Sequence, residues 1–214
     1  VNISVAGLST LDQALSGMTF TGVEVVLVTN YDTNATDTED TSVDTSLMSG
    51  LTEVGLFASS ATGDTAFTGL AQNVAAQMRN GAGDLDLTYV STVVVGADDT
   101  QTLAVSNVSA GTFTSDGIEN ITINSTLAKS VVTDVVSDKL KTVKITGDKD
   151  LTVSNSIDFA ATADGTGIDG TINAADFTGK LSVKATTAQT IKVTGGSKDD
   201  TIDVAATLTK NDVI

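Results

Sequence analysis

The chain has 214 residues and carries 27 Asp and Glu against 11 Lys and Arg, a net charge of −16, with no His and no Cys. Nucleic acid is excluded as a partner, because phosphate binding rests on Lys and Arg. Disulfides, thiol or imidazole chemistry and the usual zinc and iron sites go with the missing residues, and the ligands that remain are oxygens, which suit calcium or magnesium.

The chain opens on "VNISV", strand-like from its first residue, with neither an initiator Met nor a signal-like apolar segment, as expected of a piece excised from a longer protein. With 40% apolar but only 4% aromatic residues the core must be aliphatic, and Val, Ile and Thr favour pleated sheet. Strand patterns follow at residues 23–29, 52–58, 85–95, 102–108, 118–124, 130–136, 140–146, 150–154, 180–185, 190–194 and 201–204. Asn, Asp, Gly, Ser and Thr separate them, turn chemistry without a single Pro. Two short helices interrupt the pattern. One is expected at residues 69–79, where Thr68 is the N-cap, Leu70, Val74 and Met78 share a face, and Asn80-Gly81 ends it; a weaker one covers residues 11–15. No apolar run reaches the about 18 to 20 residues that cross a bilayer, so no membrane insertion is expected.

Segments repeat. "KTVKITGDKDLTV" from Lys141 and "QTIKVTGGSKDDTIDV" from Gln189 match Thr142, Lys144, Thr146 and Gly147 to Thr190, Lys192, Thr194 and Gly195. A looser unit sets Gly and Glu ahead of an aliphatic strand at Gly22/Glu24, Gly50/Glu53 and Gly117/Glu119. Strand units recurring every ~20 to 50 residues are the trace of a stacked architecture in which each unit buries its face on its neighbours. The fold class is therefore all-β, a β-solenoid or β-helix of stacked strands with one or two short helices, and stacked β-sandwich domains are the alternative. Charge divides the chain into an acidic region, 1–107, where 13 acids face only Arg79, and a repeat-like region, 108–214, where 14 acids face 10 lysines.

Acidic stretches carry the candidate sites. Residues 30–44 hold Asp32, Asp37, Glu39, Asp40 and Asp44 with few apolar neighbours, a long solvated loop or a calcium loop. Residues 163–176 set Asp164, Asp169 and Asp176 among glycines, where backbone carbonyls can complete a cation shell. Asp98-Asp99 reads as a hairpin turn, and Asp148 and Asp150 belong to the earlier repeat copy. In "VTGGSKDDTID", Gly195, Gly196, Asp200 and Ile202 fit the calcium-binding nonapeptide G-G-x-G-x-D-x-U-x. Glycine permits a left-handed turn that points carbonyls inward, Ser197, Asp199 and Asp200 offer hard oxygens, and Ile202 points into the core. Lys198 replaces the third glycine, and a solvated Gly-Asp turn is the other reading.

With its flanks, this segment resembles the repeats-in-toxin class. "NAADFTGKLSVKATTAQTIKVTGGSKDDTIDV" from Asn173 is similar to the lead-in to such repeats in surface-layer proteins and large adhesins that Gram-negative bacteria export by the type I route. "SDGIENITIN" from Ser115 and "TLAKSVVTDVV" from Thr126 resemble strand units of the same surface-layer proteins, and the likeness covers residues 108–204. It implies an extracellular structural protein of the bacterial cell surface that assembles with itself into a Ca2+-dependent lattice. A cell-surface polysaccharide, reached through regions outside this chain, is the further partner. The other readings are an adhesive, glycan-binding module and a passive β-helical stalk. No enzyme is expected: Asp84 and Asp86 share a strand face as glycosidase carboxylates do, but aromatic sugar platforms are scarce, and "NGAGDLDL" from Asn80 lacks a Walker lysine.

Overall fold

A computed structural model describes residues 1–5, 14, 15, 17–33, 41–160, 168–185, 190–204 and 213. In chain order the strands are β1 (Asn2–Val5), β2 (Ala14–Leu15), β3 (Phe20–Thr21), β4 (Val25–Asn30), β5 (Thr41–Asp44), β6 (Met48–Ser49), β7 (Glu53–Phe57), β8 (Thr65–Leu70), β9 (Ala75–Arg79) and β10 (Leu85–Tyr89). They continue with β11 (Thr100–Ser106), β12 (Phe113–Ser115), β13 (Asn120–Ser125), β14 (Ser130–Val136), β15 (Thr142–Gly147), β16 (Leu151–Asp158), β17 (Gly170–Asn173), β18 (Leu181–Lys184), β19 (Ile191–Thr194) and β20 (Thr201–Asp203).

The chain alternates between two nine-stranded sheets, β1-β4-β7-β9-β11-β13-β15-β17-β19 and β2-β5-β8-β10-β12-β14-β16-β18-β20. Every pairing is parallel, and each strand pairs with the strand one coil on. A coil advances 20 residues where Thr100 meets Asn120 and 29 where Thr142 meets Thr171. This is a parallel β-solenoid flattened to two faces. A third sheet, β3 with β6, accompanies only the first coils. Both main sheets run unbroken across residues 107 and 108 through the β11–β13 and β10–β12 pairings.

Period-two burial explains why these segments stack. Along β13 and β15, Ile121, Ile123, Val143 and Ile145 face inward and are fully buried, while Thr122 and Lys144 face out. Register then builds ladders of like residues, Val26–Val54–Ala76–Leu103–Ile123–Ile145 in the first sheet and Leu85–Phe113–Val135–Ile157 in the second. The 48-residue sequence repeat is offset from this stacking. Val143 lies over Ile172 and Ile172 over Val193, so structural equivalents are 50 residues apart. The difference is two residues, which keeps the same side chains on the core face.

Among the described residues there is no α-helix, and the segment 69–79 is a correction. Leu70 closes β8, Val74 turns the corner and Met78 lies in β9. All three are buried, as a helical face would have them. Parallel neighbours decide the outcome: Ala75 N–H reaches Thr52 O at 2.8 Å, and Met78 pairs with Leu56 on one side and Val105 on the other. Residues 14 and 15 are strand rather than helix, and 11–13 lie outside the described residues. Asp98-Asp99 is a corner, not a hairpin, since β10 and β11 belong to different sheets. Stretches expected as loops also contain strands, β5 within 30–44 and β17 within 163–176.

Candidate functional site: the acidic corners of the solenoid

Each coil turns twice, and the residue just before a strand marks the corner. Ahead of the second-sheet strands these residues are Asp64, Asp84 and Thr112, in register with one another, then Lys129, Asp150 and Lys180, in register farther along the sheet because Phe113 pairs with Val135 rather than Ser130, and last Asp200, opposite Leu181. The carboxylates clasp a neighbouring coil. Asp64 Oδ1 accepts the Asp84 N–H at 2.7 Å, and Asp84 Oδ1 accepts the Thr112 N–H at 2.6 Å. Downstream, Asp150 Oδ1 accepts the Lys180 N–H and Asp200 Oδ1 accepts the Leu181 N–H, each at 2.9 Å. The two aspartates of the repeat therefore grip one intervening coil from opposite sides. A charged acceptor on a backbone donor is among the stronger hydrogen bonds of a corner.

The glycine-aspartate stretch is built around this clasp. Asp200 Oδ2 accepts the Gly196 N–H at 2.6 Å, so each carboxylate oxygen of Asp200 already holds an amide. Neither Gly195 nor Gly196 adopts a left-handed φ. Close approach is what requires them: a Cβ on Gly195 would lie 2.8 Å from Asp200 Oδ2, and one on Gly196 2.7 Å from Phe177 O. Left-handed glycines occur instead in the Gly-and-Glu units, at Gly22, Gly50 and Gly117, where the chain turns into the first sheet. Ile202 pairs with Val183 and packs on the core.

The structure divides the candidate ligands among three places. Gly195, Ser197, Asp199 and Asp200 share the corner between β19 and β20, with Ser197 and Asp199 exposed. Asp148 and Asp150 hold the same corner two coils earlier, where Asp148 is paired with Lys149. That hydrogen bond, with the charges of Lys149 and Lys198, holds the Asp148 carboxyl below its ordinary range. Asp169 is on the opposite corner, its Oδ2 accepting the Thr190 N–H at 2.8 Å. Asp176 pairs with Lys144 at 2.9 Å, while Asp164, Asp37, Glu39 and Asp40 lie outside the described residues. No three acidic side chains among the described residues converge as a cation-binding group.

Along the downstream clasps runs a shallow depression of about 300 Å³ in which Lys129, Asp150 and Lys180 meet Ser130, Ser182 and Thr201. One carboxylate between two ammonium groups suits ion pairing across coils better than a bare divalent ion. Upstream, Asp64 lies beside Asp84. Burial, and the like charges of Asp64, Asp86 and Asp134, push the half-buried Asp84 carboxyl above its ordinary range despite the Thr112 amide. The sequence flagged Asp84 only as a catalytic pair with Asp86; its role as a clasp follows from its place just before an inward-facing Leu.

The fold and these corners define the class: the protein is a two-faced parallel β-solenoid with carboxylate-clasped corners. No protein family, curated protein or solved structure matches the chain.

Proposed function

We propose that the chain is a structural unit of a bacterial surface layer, extracellular and non-catalytic, that assembles with copies of itself in a Ca2+-dependent way. One observation carries the reading: in-register coils give the solenoid long faces with rows of short polar side chains, such as Thr100, Asn120, Thr142 and Thr171 in consecutive strands. Such faces repeat at the strand spacing of ~4.8 Å and pack side by side. A net charge of −16 opposes that packing until divalent ions screen and bridge the exposed carboxylates. Asp148, Asp199 and the other corner acids are the groups that calcium would meet.

A second reading, a passive calcium-independent stalk, is favoured by Asp150 and Asp200, whose oxygens are taken up by backbone amides. Thermal melting in millimolar calcium against excess chelator separates the two, with negative-stain microscopy of the same samples. The lattice reading expects a higher melting temperature and ordered sheets in calcium, since a ligand of the folded state stabilises it by mass action. Identical melting curves and dispersed particles in both buffers overturn it in favour of the stalk.

A further inference from the structure

Arg79 is the chain's sole arginine. It lies on the outward face of the first sheet, in β9. Its Nε is buried without a hydrogen-bond partner, and none of the ion pairs among the described residues includes it. In a chain with 27 acids, an arginine left without a carboxylate is a donor set prepared for something else.

Its surroundings have the shape of a site. Arg79 and Glu53 border a depression of about 300 Å³ floored by Ala75 and Ala104 and edged by Thr122 and Asn124. Beside it, Gln77 is 4% exposed, its Nε2 donates to Glu53 Oε1, and its own Oε1 is buried without a partner. Glu53 is thus oriented by Gln77 rather than by Arg79. Phe57 stands in register with Arg79 one coil earlier and is 40% exposed, an aromatic face about 5 Å away by strand spacing. A guanidinium fork, a flanking aromatic ring, a fixed carboxylate and a floor edged with hydroxyl and amide groups form one surface.

We infer that this surface binds a carboxylated sugar, a hexuronate unit of an acidic polysaccharide. The guanidinium takes the sugar carboxylate in bidentate fashion. Phe57 covers the apolar face of that unit, and Glu53, Thr122 and Asn124, farther along the depression, bond hydroxyls of adjoining units of the same polysaccharide. A peptide carboxylate would use the arginine but leave the hydroxyl-binding edge idle. The inference is independent of the lattice reading and concerns a single molecule without calcium.

Calorimetric titration of the full chain in chelator with a galacturonate trisaccharide, and with its methyl ester, tests it. Saturable binding of the acid and none of the ester is expected. Arg79→Gln is expected to weaken binding at least about tenfold, the effect of losing a charged hydrogen-bond pair, and Phe57→Ala by a smaller factor. Arg79→Lys, which keeps charge and loses the fork, falls between. Both side chains face outward, so an unchanged melting temperature checks folding, and Arg79→Lys serves where Arg79→Gln does not fold. Absence of saturable binding, equal binding of the ester, unchanged affinity in Arg79→Gln, or tighter binding of a tripeptide with a free C-terminal carboxylate overturns the inference.

Discussion

The upstream and downstream coils share one backbone and one kind of clasp, but the clasps form two separate columns, because Phe113 pairs with Val135 rather than with Ser130. Upstream, Asp64 and Asp84 stack acid on acid, and Asp84 is held above its ordinary range by burial and by its acidic neighbours. Downstream, Lys129, Asp150 and Lys180 are in register and alternate in sign, while Asp200 clasps from opposite Leu181. The clasping hydrogen bond is the same in both, an aspartate oxygen on a neighbouring coil's amide. The clasp thus recurs at two places in the sheet, while charge balance is set separately, by what occupies the neighbouring coils.

The largest test asks whether the two regions are one cooperative body. Phe113 is fully buried where they meet, between Leu85 and Val135. Phe113→Ala is expected to cost about 3–5 kcal/mol and to lower a single denaturant transition; two separate transitions, only one of them shifted, would show that the coils unfold as independent units. Next is the downstream clasp. Asp200→Ala leaves the Leu181 and Gly196 amides without their acceptor, a loss of about 1–3 kcal/mol. Asp200→Asn, which keeps one acceptor, is expected to recover part of it in the same unfolding assay.

The upstream clasp should respond in the opposite sense. Because the Asp84 carboxyl is raised in the folded protein, its stabilising contribution is fully present at low pH and is lost as pH rises through the folded value. Asp84→Asn mimics the protonated group and keeps an acceptor for Thr112. A rise of a few degrees in melting temperature is expected at pH 7, vanishing as pH falls into the carboxylate range; a gain independent of pH would show that charge is not the cause. The smallest effect belongs to the alternating column. Lys180→Glu makes the downstream column resemble the upstream one and is expected to destabilise by up to about 1 kcal/mol. The loss should shrink in high salt, and a salt-insensitive loss would assign it to packing.

Much of the solenoid is legible in the chain because burial alternates with period two and that signal is local. β13, β14, β15, β19 and β20 fall where the aliphatic alternation places them. β5 and β17 were hidden because short strands rich in Thr, Ser and Gly have the composition of a loop. β8 and β9 were hidden for another reason. Leu70, Val74 and Met78 satisfy helical spacing and solenoid burial equally, and only neighbours distant in sequence choose between them. Gly196 and Asp200 are visible as a unit, yet the reason for their spacing, Phe177 O and the Leu181 amide, comes from another coil. The depression beside Arg79 had one sequence signal, a lone arginine among acids, and no motif.

The sequence by itself determined an all-β chain with an aliphatic core, oxygen-only ligand chemistry, glycine-marked corners and an uneven charge, because each of these is a property of residue type and period. Only the tertiary structure decided which coil each aspartate holds, that two repeat copies stack 50 rather than 48 residues apart, and that Glu53, Phe57 and Arg79 share one face. Those relations depend on coil length, which varies as corner residues are added or removed while the parallel ladder keeps its register.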